Sequence, residues 1–179
     1  EQGGSLVDAM LAASAMLAVA LPHASSLGGC GMMLYFDAAS GTVHALNGSG
    51  RAPAATPVQA LAEAGAMPQR GVRAALTPTL VRLWARAHER FGRLPWNSLL
   101  APAIAAADAG IGTAEELARN LALADATVRA QPGFQESFMR QGQLLVAGQP
   151  MRQPRLAEAL QTIARQGEEG FFGGWVARS

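Results

Sequence analysis

The residues best placed to do chemistry are Ser49, Gly50 and Arg51, in the stretch Asn47-Gly48-Ser49-Gly50-Arg51. Two glycines leave backbone amides accessible, and an arginine beside them can form a bidentate pair with a carboxylate. The alternative reading is that Arg51 pairs with a surface acid or a helix C-terminus. A second candidate is the cluster Leu27-Gly28-Gly29-Cys30-Gly31. A phosphate loop needs a strand before its glycines and a helix after them. Here the order is helix, glycines, strand, so the expected role is steric: glycines let the entering strand pass close to neighbouring backbone.

Other chemistries are poorly supported. Ser25 or Ser26, His23 and Asp8 make a hydrolytic triad on paper, but no Gly-x-Ser-x-Gly elbow accompanies them. Cys30 is the only cysteine, which excludes an intrachain disulfide and a cysteine-based zinc site. It is expected to be a small buried residue rather than a nucleophile. His23, His44 and His88 lie far apart with no metal-ligand spacing, so no metal and no cofactor is expected. Glu115-Glu116 and Glu168-Glu169 read as helix-start or solvated acids. A net charge of +1 gives no reason to expect nucleic acid or an anionic membrane as partner.

The elements that must hold these residues follow from pattern. Half of the 179 residues are apolar but only 6% are aromatic, so the core is built from Ala, Leu and Val. Ser5 caps a helix over residues 5–20, with Asp8 in its first turn. Apolar residues surround it, predicting burial on most sides, and Pro22 stops it. It is shorter than the roughly 20 residues a bilayer needs and carries Asp8, so no membrane span is expected. Residues 32–37 and 42–46 form a hairpin with a buried first strand, turning at 38–41. Residues 47–56 are loop, 58–64 a short helix, 65–70 loop, and 72–76 a short strand.

The remainder reads as helical. Pro78 sits in the first turn of a helix running to Phe91. Its apolar face is Leu80, Leu83, Trp84, Ala87 and Phe91; Arg82, Arg86 and Arg90 share another. Pro95 opens a helix to Gly110, with a kink or break at Pro102. Thr113 and Glu116 form a capping box for a helix to about Arg129. Residues 134–139 form a short helix, 144–146 a brief strand, and 154–167 a helix with Leu156, Leu160 and Ile163 on one face. Residues 175–178 start another helix. No repeat or Pro/Ser-rich linker divides the chain, so one structural unit is expected over residues 1–179.

In order, the residues resemble the large subunit of gamma-glutamyltranspeptidases. The matching stretches are Gly3-Gly4 with Val7-Asp8-Ala9, Pro22-His23, Gly28-Gly29-Cys30-Gly31 and Tyr35 to Asp37. Later matches are His88 to Trp96, Leu99 to Ile104, Arg152-Gln153-Pro154 with Leu156-Ala157, and Phe171 to Gly174. The resemblance implies a helix-rich α+β chain that forms part of an αββα N-terminal-nucleophile hydrolase sandwich. It implies a precursor that cleaves itself, and a small subunit whose N-terminal threonine attacks an amide carbonyl with its own α-amino group as base. That threonine is expected outside this chain, so no residue here is a catalytic nucleophile and the chain alone is expected to be inactive. The implied partners are the small subunit and a small-molecule amide or gamma-glutamyl substrate.

One departure bears on substrate. The family carries Asp-Gly/Phe-Arg-Glu after the second strand, where the arginine grips the glutamyl α-carboxylate. An ungapped match sets Asn47 on that Asp, Ser49 on the Arg and Gly50 on the Glu. Arg51 is two positions late, about 7 Å of extended backbone. The pattern points to a relative acting on another amide. A rival reading of the chain is a catalytically silent helical domain serving as a protein-interaction module.

Overall fold

The structure, a computed structural model, describes residues 3–63, 65, 71 and 74–178. It divides into two compact units: Glu1–Ser26 with Trp84–Ser179, and Leu27–Leu83.

In the first unit, helix α1 (Leu6–Ala20) begins with a complete capping box. Asp8 N donates to Ser5 Oγ, and Ser5 N donates to Asp8 Oδ2 at 2.8 Å. The same carboxylate accepts Arg93 N on both oxygens and Leu94 N at 3.2 Å. Asp8 is only 1% exposed. Burial alone pushes its pKa up, but the hydrogen bonds from Ser5, Arg93 and Leu94 outweigh this and hold it below the usual carboxylate value. One buried side chain therefore ties the start of α1 to the turn after residue 91.

The helices packed on this anchor use small residues. Helix α4 (Trp96–Ala109) buries Leu99, Leu100, Ala103 and Ala107. It packs against both α1 and the helix over Pro154–Gln166. Val7, Leu11, Ala15, Ala18 and Val19 face inward from α1. Alanines at these contacts let helix axes approach closely. The two apolar ends of the layer are pinned by side chains: Gln153 Nε2 donates to Val19 O at 2.8 Å, and Trp96 Nε1 to Ile163 O at 3.0 Å. Expected burial of α1 on most sides is corrected, because Leu6, Met10 and Leu17 are exposed along it. The expected break at Pro102 is also absent. The helix continues through it, since burial of four side chains outweighs one missing amide donor.

The second unit carries the hairpin, β1 (Gly31–Asp37) paired antiparallel with β2 (Thr42–Gly48). Asp37 closes the turn, accepting Ala39 N at 3.1 Å and Ser40 Oγ at 2.7 Å, while Gly41 supplies a φ of 67°. The first strand is not buried as expected. Met33 is inside at 4% exposure, but Met32 and Leu34 are each 78% exposed. A two-stranded sheet buries one face only, and strand alternation sends Met32, Leu34, Phe36 and Val43 to the other. Asn47 and Gly48, expected in a loop, extend β2 instead. Gly31 has the expected steric role: a Cβ there would lie 3.0 Å from Leu83 Cδ2. Helix α2 covers Val58–Glu63. The loop expected over 65–70 and the strand over 72–76 fall largely outside the described residues, and no strand is present at 74–76.

Helix α3 (Leu80–Phe91) spans the boundary between the units in sequence and begins two residues after Pro78, which is therefore outside its first turn. Leu80, Val81, Leu83, Trp84 and Ala87 are buried, and Arg82, Arg86 and Arg90 are exposed. Within the first unit, Trp84 Nε1 donates to Ser14 Oγ at 3.0 Å.

The rest of the first unit is built from short elements. They are β3 (Ile111–Gly112), α5 (Glu115–Leu123), α6 (Ala126–Arg129), α7 (Pro132–Phe138), β4 (Met139–Arg140), β5 (Gln143–Leu144), β6 (Pro150–Met151), α8 (Pro154–Gln166) and α9 (Glu169–Phe172), with a 3-10 turn at Val176–Arg178. Strands β3 and β6 pair, as do β4 and β5. The expected capping box at Thr113 does not form, and α5 stops at Leu123 rather than Arg129. Thr113 Oγ1 and N both donate to Gln149 O at 2.8 Å, so its hydroxyl is spent on the 148–149 loop. Asp125 then caps the separate α6. Leu117, Leu121, Leu145 and Met151 form the core beneath these pieces.

Asp8→Ala is expected to lower the unfolding free energy by about 3 kcal/mol, the cost of stranding several buried amide donors that had an ionised acceptor. Because the folded pKa is depressed, Asp8's contribution is present above the unfolded value and lost as pH falls through the folded one. Urea titrations from pH 6 to pH 2 should therefore show a shallower acid loss of stability in the variant than in the parent.

Candidate functional site

Backbone and side-chain hydrogen bonds together set the 49–51 loop. Ser49 N donates to Asn47 Oδ1 at 2.9 Å, a turn that redirects the chain as it leaves β2. Arg51 O accepts Thr77 N at 2.9 Å. Thr79 Oγ1 donates to Gly48 O, and Thr79 N and Leu80 N both donate to Gly29 O at 3.0 Å. Residues 77–80 thus clip the glycine cluster, the end of β2 and the loop together within the second unit. Gly50 is required by this clip: a Cβ would run into the Thr77 carbonyl oxygen and lie 2.9 Å from Leu76 Cβ.

Arg51 is exposed, and among the described residues its guanidinium has no ion pair or hydrogen bond. Among the described residues it pairs with neither a surface acid nor a helix end. A guanidinium near a fixed backbone turn, with its five donors unpaired among the described residues, has the chemistry to take a carboxylate.

The remaining candidates separate. The Asp8 carboxylate is buried and both its oxygens accept backbone amides, from Ser5, Arg93 and Leu94, so neither is left to orient a histidine. His23 instead faces Glu116, with Nε2 3.9 Å from Oε1. The triad drawn from Asp8, His23 and Ser25 or Ser26 is not assembled. Cys30 is exposed, contrary to its expected burial, because it stands between glycines just before β1 where nothing covers it. Glu168 lies 3.5 Å from Arg86, and Glu89 lies 2.8 Å from the same guanidinium, whose pKa they raise. Among the described residues no group of three or more His, Cys, Asp or Glu is placed to hold a metal ion. No described helix is long and apolar enough to cross a membrane. Sequence reasoning missed the clip at Thr77 and Thr79; two threonines near Pro78 carry no signal of a contact thirty residues away.

The profile of the family described as gamma-glutamyltranspeptidase matches residues 1–179. An oxamate amidohydrolase proenzyme of Klebsiella pneumoniae is 37% identical over 98% of this chain. A glutathione hydrolase proenzyme of Pseudomonas aeruginosa is 36% identical, also over 98%. The chain spans 34% and 31% of the lengths of these two relatives, about a third of each. The crystal structure of Helicobacter pylori gamma-glutamyltranspeptidase superposes with a TM-score of 0.91 at 29% identity, over 99% of this chain and 52% of that one. The fold is thus the helix-rich α+β arrangement seen in N-terminal-nucleophile hydrolases.

Gly50→Ala is expected to destabilise by about 1–3 kcal/mol, since displacing the Thr77 carbonyl also pulls Thr77 N from Arg51 O. Hydrogen exchange should show the Thr77 and Thr79 amides losing protection first.

Proposed function

This chain belongs to the gamma-glutamyltranspeptidase family, and from that premise we propose that it forms part of the large subunit of an autoprocessed amide hydrolase or acyltransferase. In this reading residues 1–179 act as one scaffold, and a small subunit supplies an N-terminal threonine. The threonine hydroxyl attacks the amide carbonyl, its α-amino group takes the proton and passes it to the departing amine, and the tetrahedral intermediate collapses to an acyl ester on the threonine. Water or a second amine then releases the acyl group. The outward apolar face of the hairpin, with Met32, Leu34, Phe36 and Val43, supports a scaffold that is covered by further polypeptide.

For substrate, we propose a short amide that carries a carboxylate, bound by Arg51 with Ser49 and Gly50 as the adjoining backbone. The observation that carries this is the unspent Arg51 guanidinium on a loop fixed by Thr77 and Thr79. A relative named for oxamate fits that chemistry, since oxamate has a carboxylate next to its amide. Arg51 stands two positions beyond the arginine of the glutamate-binding pattern, which favours such a substrate over a gamma-glutamyl one.

In the intact enzyme, Arg51→Ala should raise KM for carboxylate-bearing amides about 100-fold while leaving kcat within a few-fold, as expected for loss of a charge-assisted pair made equally in ground and transition states. Steady-state kinetics on an amide and its neutral ester check this; equal effects on both would assign Arg51 to structure.

A further inference from the structure

A cleft of about 290 Å³ opens between α7, α8 and the 3-10 turn in the first unit. Leu156, Ala159, Trp175 and Val176 give it apolar walls, and Glu136 and Arg155 bring charge. Trp175 is fixed in place, its Nε1 donating to Thr162 Oγ1 at 3.3 Å. Glu136 and Arg155 are both exposed, and among the described residues neither side chain has an ion pair or hydrogen bond. They do not close on each other although they line one cleft. Opposite, unpaired charges beside an apolar wall complement a molecule carrying the reverse pair.

We infer that this cleft binds a small zwitterion with an apolar side chain, of the class of a free amino acid. Its ammonium group pairs with the Glu136 carboxylate and its carboxylate with the Arg155 guanidinium. Its side chain lies against Trp175 and Leu156. The volume stands at the lower end of ligand cavities, which suits a molecule of this size. The site shares no residue with the 49–51 loop, so it stands or falls independently of the proposed reaction.

The test is calorimetry on the purified protein with L-leucine, N-acetyl-L-leucine and L-leucinamide. The parent should bind leucine saturably with a Kd of about a millimolar, and each blocked analogue about tenfold more weakly. Glu136→Gln should weaken leucine about tenfold and abolish the preference over the N-acetyl compound; Arg155→Gln should do the same for the preference over the amide. Absence of saturable leucine binding, equal binding of the three compounds, or binding unchanged in either variant would overturn the inference.

Discussion

A single buried carboxylate organises the helical unit. Asp8 sits in the first turn of α1, yet it gathers amides from Ser5 on one side and Arg93 and Leu94 on the other. A buried charge is tolerable only when its acceptor capacity is filled, so the position of the 92–95 turn is dictated by the side chain it must satisfy. Because α4 starts at Trp96, that turn also sets where α4 begins, and α4 is the helix against which both α1 and α8 pack. The small residues that line these contacts, Ala15, Ala18, Ala103 and Ala107, work only if the axes are brought close.

The hairpin unit is held by a different device. Thr77 N donates to Arg51 O, Thr79 Oγ1 to Gly48 O, and Thr79 N and Leu80 N to Gly29 O, so one segment holds the loop, the end of β2 and the glycine cluster. Gly50 lets the two segments touch, and beside it the Arg51 guanidinium makes no ion pair or hydrogen bond among the described residues. In the proposed reading, this backbone holds the Arg51 guanidinium in place for a ligand, so part of the ordering cost is met before any ligand arrives. The proposed carboxylate substrate rests on that arrangement.

Local signals were the readable part of the sequence. Ser5 and Asp8 announce the start of α1 three residues apart, and Leu160 with Ile163 marks the inner face of α8. The order of the glycine cluster excluded a phosphate loop and left a steric role, which Gly31 fulfils. What the sequence concealed was competition from distant partners. Thr113 has the spacing of a cap but its hydroxyl is claimed by Gln149, thirty-six residues away. The run 32–37 reads as a buried strand because every residue but the last is apolar or small, whereas only alternate positions face inward in a two-stranded sheet. Ser49 to Arg51 could be picked out by type, but Thr77 and Thr79, which position them, could not.

A crystal structure of the intact enzyme with an unreactive carboxylate-bearing analogue would show whether Arg51 receives the carboxylate of an amide substrate, as proposed. Both guanidinium nitrogens of Arg51 are expected about 2.8 Å from the carboxylate oxygens, with the 49–51 backbone unmoved. A carboxylate held by other residues, with Arg51 in solvent, would contradict it.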